Sequence, residues 1–161
     1  MKAAVNTSAN SEFAPNLLVG LREEFEQRIL AWQTTSDNMP TIWVDRKDLT
    51  SILIYLRDKA EPRFEMLFDI TAIDERVRVH RLGQPESEFS VVYHLMSFSG
   101  NRDFRIKVPL MDADLNIPSI VSLWPSANWY ERETWDMFGI NFEGHPNLYR
   151  IVLPPTWEGH A

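Results

Sequence analysis

The sequence predicts an α+β fold of two layers: a mixed β-sheet of about five strands with helices packed on one side, followed by an irregular C-terminal tail. Three observations predict it. Apolar residues recur at helical spacing in some stretches, they alternate or run continuously in others, and the last twenty residues follow neither period. At 161 residues, with 44% hydrophobic and 24% charged, the chain has the balance of one globular domain. No internal repeat or linker divides it. The predicted layout is a loose N-terminal tail over 1–15, a single α+β domain over 16–141, and an extended partner-binding C-terminal segment over 142–161.

Each element has its own signal. "NLLVGLREEFE" places Leu17, Leu18, Leu21 and Phe25 on one helical stripe just after Pro15. Arg28 to Trp32 and "TIWVD", 41–45, flank the turn cluster "TSDNMP" and read as a strand pair. A second helix over 46–60 carries Leu49, Ile52, Leu53 and Leu56 on one stripe, with Pro62 at its end. "MLFDITAI" reads as a strand, and "DERVRVHRLGQPESE" as a long solvent loop or strand extension. "FSVVYHLMS" and "DFRIKVPL", joined by "SGNR", should form an antiparallel hairpin, with Arg105 and Lys107 facing water. From Ile117 the pattern turns helical, with Pro118 or Ser119 opening a short helix that "WPSAN" interrupts.

Charge and composition narrow the function. With 16 basic against 23 acidic residues, the net charge of −7 argues against nucleic acid as a partner, because phosphate neutralisation needs the opposite sign. The longest apolar runs fall far short of the roughly 18 residues of a spanning helix, so no direct membrane span is expected. The opening residues lack the apolar centre of a secretory signal. Zero cysteine excludes disulfides, fits a reducing compartment and removes the usual thiolate ligands of iron–sulfur clusters and structural zinc. The four histidines, at 80, 94, 145 and 160, lack helical pairing. No metal or cofactor site is expected.

One stretch carries most of the chemistry. "NWYERETWDMFG", 128–139, reads as a helix with Asn128 as N-cap, Glu131 as its capping-box partner and Gly139 as the left-handed terminator. Its aromatics point in several directions, which suits a buried or interface helix. Arg132 and Asp136 are four apart and can pair, with Glu133 and Trp129 beside them. A solvated charged face is one reading; a charge network at a protein–protein seam is the other, since Trp, Tyr and Arg are enriched there. Glu131 and Glu133 diverge by about 160° and cannot flank one substrate bond. Asp69, Asp74 and Glu75, or the loop His145, leave a small metal-dependent hydrolase as an alternative of another class. His94 reads as a satisfied half-buried strand residue.

The run "ERETWDMFGINFEGHPNLYRIVLP", 131–154, resembles the characteristic motif of the C subunit of the proton-pumping NADH:quinone oxidoreductase, respiratory complex I. "MLFDITAIDER", "FSVVYHLMS", "RIKVPL" and "PSANWYERE" extend the resemblance over roughly residues 40–160. Tyr149 stands where many members carry Arg. The resemblance implies a cofactor-free component of the hydrophilic arm on the cytoplasmic side of the bacterial inner membrane. It implies the D subunit and cluster-bearing neighbours as partners, with FMN and iron–sulfur clusters held in the partner subunits. The equivalent component of a membrane-bound hydrogenase or formate-oxidising complex is the nearer alternative. On this reading the partner interface comprises Trp129, Glu131, Arg132, Glu133, Trp135, Asp136, Phe138, His145, Pro146, Arg150 and Trp157, and no residue is catalytic.

Overall fold

The computed structural model describes residues 15–161, so the predicted N-terminal tail lies outside the described residues apart from Pro15, which opens α1 (Pro15–Phe25). A 3₁₀ turn, Glu26–Arg28, leads into β1 (Ile29–Gln33) and β2 (Thr41–Val44), and α2 spans Arg46–Asp58. Asp45 caps α2, its carboxylate accepting from the Lys47 N–H at 3.0 Å. Then follow β3 (Met66–Asp74), β4 (Phe89–Ser97), β5 (Arg102–Leu110), β6 (Asn116–Pro118), α3 (Ala127–Phe138) and β7 (Asn141–Glu143).

Five strands form one mixed sheet in the order β1-β2-β5-β4-β3. β2 runs parallel to β5 and the other pairs are antiparallel. The register fixes two faces, because side chains alternate along each strand. Ile42, Ile106, Tyr93 and Ile70 stand opposite one another across four strands, all buried. They join the core with Leu17, Leu21 and Phe25 of α1, and with Leu49, Ile52, Leu53 and Leu56 of α2. One position along, Trp43, Lys107, Val92 and Thr71 form the corresponding row on the opposite face.

The fold class matches the sequence reading, with two corrections in the second half. No helix opens at Ile117: residues 116–118 form β6, which pairs in parallel with β7, so Ile117 and Phe142 are buried side by side. Pro118 and Ser119 are residues that open helices, but the parallel pairing with a strand beyond α3 is non-local and leaves no sequence period. β7 also spans the boundary expected at residues 141 and 142. The second correction concerns Arg105 and Lys107, which are half-buried rather than water-facing. Residues 75–88 fold over that face of the sheet, and Lys107 lies 5.1 Å from the centroid of the buried Trp43 ring.

Candidate functional site: a helix clasped by its own C-terminal segment

α3 packs on β3, where the Thr134 hydroxyl donates to the Ile70 carbonyl at 3.4 Å. It begins at Ala127 after Ser126, with no side-chain cap bond, and Gly139 closes it at φ 75°. The predicted Asn128–Glu131 capping box does not form. Glu131 reaches outward to the preceding segment instead, accepting from the Ser119 hydroxyl and the Ile120 N–H, both at 2.7 Å. These donors belong to the turn after β6, which needs an acceptor once buried.

Glu131 has no exposed surface. Burial disfavours its charged form, and although the Ile120 and Ser119 donors oppose that, its pKa rises to about 7. His145, also with a fully buried side chain, approaches it at 4.0 Å. The Asn147 N–H donates to His145 Nδ1 at 3.0 Å, which leaves Nε2 to carry the proton toward the Asn128 carbonyl at 3.2 Å. The Tyr93 hydroxyl is buried without a partner in the same region, and its pKa is pushed well above the usual phenol value, by burial and then by Glu131.

Asp136 behaves otherwise. One carboxylate oxygen accepts from Arg150 at 2.6 Å; the other accepts the consecutive N–H groups of Ile151, Val152 and Leu153 at 3.0, 2.9 and 2.9 Å. Burial alone would raise its pKa, but the three backbone donors and Arg150 outweigh that and hold it at about 2. The clasp continues: Arg150 donates to the Gly159 carbonyl at 2.6 Å, His160 bonds the Asp136 carbonyl at 2.9 Å, and the Ala161 N–H donates to the Met137 carbonyl at 3.1 Å. Trp135 receives the His160 ring edge-on at 5.7 Å. The C-terminal segment thus closes over the end of α3.

The expected Arg132–Asp136 pair is therefore absent. Arg preceding Asp by one turn is the weaker orientation for such a pair, and Asp136 is already saturated by tail donors. Arg132, 4% exposed, donates through Nε to the Tyr149 carbonyl at 3.2 Å. Its guanidinium sits 3.5 Å from the Tyr149 ring centroid and 4.7 Å from that of Trp129. Among the described residues it makes no ion pair.

The eleven interface residues predicted from sequence thus divide. Glu131, Asp136, His145 and Arg150 serve contacts within the chain, and Trp135 and Phe138 pack against the core. Arg132 is buried against Tyr149 and Trp129, while Trp129, Glu133, Pro146 and Trp157 are exposed, as are Tyr149 and Val152, which lay outside the predicted interface. Partners such as Ser119, Tyr149 and His160 were missed, since long-range contacts leave no spacing signal. Asp69, Asp74 and Glu75 do not converge: Asp74 pairs with Arg76 at 2.7 Å and Glu75 accepts from Ser90 at 2.7 Å. Among the described residues no group of three or more His, Asp or Glu side chains is arranged to hold a metal ion. His94 is half-buried and bonded to Asp103 at 2.9 Å.

A five-stranded mixed sheet with a charged helix locked beneath its own C-terminal segment defines an α+β module whose buried charges hold the chain together. The chain belongs to the family described as the respiratory-chain NADH dehydrogenase 30 kd subunit, whose model matches residues 42–161. It is 60% identical over 128 residues to the C/D subunit of an NADH-quinone oxidoreductase from Acidiphilium cryptum, covering 80% of this chain and 22% of that one. It is 50% identical over 161 residues to the corresponding C/D protein of Chromohalobacter salexigens, covering 99% and 27%. The chain thus spans about a quarter of the length of the curated relatives it matches. Among solved structures it is similar to a trypsin-resistant fragment of Nqo5, with TM-score 0.69 and 28% identity over 81% of this chain and 98% of that one. A chain of an archaeal membrane-bound sulfane sulfur reductase complex shares the fold, with TM-score 0.62 and 22% identity over 84% and 74%.

Proposed function

We propose that this chain is a cofactor-free docking component of the peripheral arm of a bacterial complex I, on the cytoplasmic side of the inner membrane. It holds the D subunit and cluster-bearing neighbours in register while FMN and iron–sulfur clusters in those partners pass electrons from NADH to quinone, coupled to proton translocation. Family membership supports the setting. The observation that carries the docking role is Arg132: a guanidinium lying between the rings of Trp129, 61% exposed, and Tyr149, 48% exposed, and without an ion-pair partner among the described residues. Exposed Trp and Tyr beside Arg are the residue types that dominate binding energy at interfaces. A carboxylate from a partner would complete the group. No helix among the described residues is long and apolar enough to cross a membrane, which fits attachment through other subunits.

Purified chain mixed with the D subunit tests this. Stable association is expected, with Trp129→Ala and Arg132→Glu each weakening it at least tenfold, or about 1.4 kcal/mol. The purified chain should show no flavin or iron absorbance. Failure to associate, or variants that bind like the native chain, would remove the docking role; stoichiometric bound flavin would contradict the cofactor-free assignment. An equivalent role in a hydrogenase or formate-oxidising complex would show as a different large partner co-purifying from native membranes.

A further inference from the structure

The face of the sheet opposite the core carries a feature that docking does not use. Residues 75–88 cross it and, with the sheet, line a half-open cavity of about 150 Å³. Its floor includes Gln33, Ile73, Arg105 and Lys107, the last two from the outward positions of β5; its roof includes Arg78, Arg81 and Gln84. Four cations and two carboxylates, Asp37 and Glu75, therefore line it, in a chain whose net charge is −7.

The carboxylates do not neutralise the cations evenly. Asp37 accepts from the Thr35 hydroxyl and from Arg105 at 2.7 Å, which in that order hold its pKa well below the usual carboxylate range. Glu75 is buried and accepts from Ser90. Arg78, Arg81 and Lys107 make no ion pair among the described residues. Burial lowers the Lys107 pKa; Glu75 opposes this, while Arg105, Arg78 and Arg81 add to it, so the positive charges are close enough to repel one another. Gln84 adds a second, uncharged indication. Its Oε1 accepts from the Arg81 N–H at 3.3 Å, which orients the amide, and its Nε2 donor is buried without a partner.

From the unpaired Arg78, Arg81 and Lys107 gathered with the orphaned Gln84 amide donor around one small cavity, we infer that this pocket binds a compact dianion of the phosphate or small dicarboxylate type. An oxyanion supplies acceptors for guanidinium, ammonium and amide donors together, relieving both the repulsion and the unsatisfied donor. The cavity is below the roughly 300 Å³ at which ordinary ligand pockets begin, so it suits a compact anion rather than a nucleotide. Binding there would pin residues 75–88 to the sheet, independently of any contact made by α3.

Calorimetric titration of the full chain with inorganic phosphate, and in parallel with malonate, at constant ionic strength set by chloride, tests the pocket. Saturable binding of one or both is expected, identifying the preferred anion. The double variant Arg78→Ala/Arg81→Ala, on the exposed loop, should weaken it at least tenfold with an unchanged circular dichroism spectrum, and Lys107→Gln should weaken it separately. No saturable binding of either anion, or equal binding by the double variant, would overturn the inference.

Discussion

Glu131 and Asp136 stand five residues apart on one helix, both without exposed surface, yet the first has its pKa raised to about 7 and the second lowered to about 2. Burial pushes both upward. The difference lies in what each meets: Glu131 accepts one backbone N–H and one hydroxyl, whereas Asp136 accepts three backbone N–H groups and a guanidinium. Two neutral donors do not offset the removal of a carboxylate from water; four donors, one of them charged, do. One end of α3 therefore holds a carboxylate poised to titrate near neutrality, and the other holds a permanent anion that fixes the C-terminal segment.

The largest loss is expected at Asp136. Asp136→Ala leaves Arg150 and three amides without their acceptor and should cost about 3–5 kcal/mol in denaturant unfolding. In the native chain this carboxylate contributes stability that is present above about pH 4 and lost as pH falls toward 2, because its folded pKa lies below the unfolded value. The sign reverses at Glu131. Its folded pKa exceeds the unfolded value of about 4.5, so stability from this group is full below pH 4.5 and declines as pH rises to about 7. The span amounts to about 3 kcal/mol. Glu131→Gln keeps an acceptor for Ile120 and removes the charge, so its unfolding free energy should lose that slope and equal or exceed the native value at pH 8.

Gly139 meets the clasp from the helix end. At φ 75° an added Cβ would lie 2.9 Å from His160 Cδ2, so Gly139→Ala should cost about 1–2 kcal/mol and displace the His160 ring, visible as a shifted imidazole resonance. Arg132→Ala has the smallest expected effect on folding, about 1 kcal/mol by thermal melting. The i, i+4 reading implied a larger loss, through an unpaired Asp136, but Asp136 has other partners.

How much of this could be read from sequence follows from the range of each interaction. The stripe Leu49, Ile52, Leu53, Leu56 and the alternation of Phe104, Ile106, Val108 and Leu110 are local periods, and α2 and β5 fall where those periods place them. Gly139 announced its left-handed closure. Glu131 did not announce Ser119, because that bond depends on where a turn after a three-residue strand arrives. Asp136 is legible as a charge needing a partner, and Arg132, one turn before it, is the nearest candidate on the helix. Its true partners are backbone amides of the tail, which every sequence has and no residue type marks. Arg105 and Lys107 looked solvent-facing because alternation shows which face a residue occupies, not which loop will cover it.

Hydrogen exchange at the amides of Ile151, Val152 and Leu153 tests the clasp most directly. At pH 7 these three should exchange slowly in the native chain despite lying outside any helix or strand. In Asp136→Asn they should become fast while the β4 amides stay protected. Fast exchange of all three in the native chain, or unchanged protection in Asp136→Asn, would contradict the assignment of Asp136 as the residue that holds the C-terminal segment on α3.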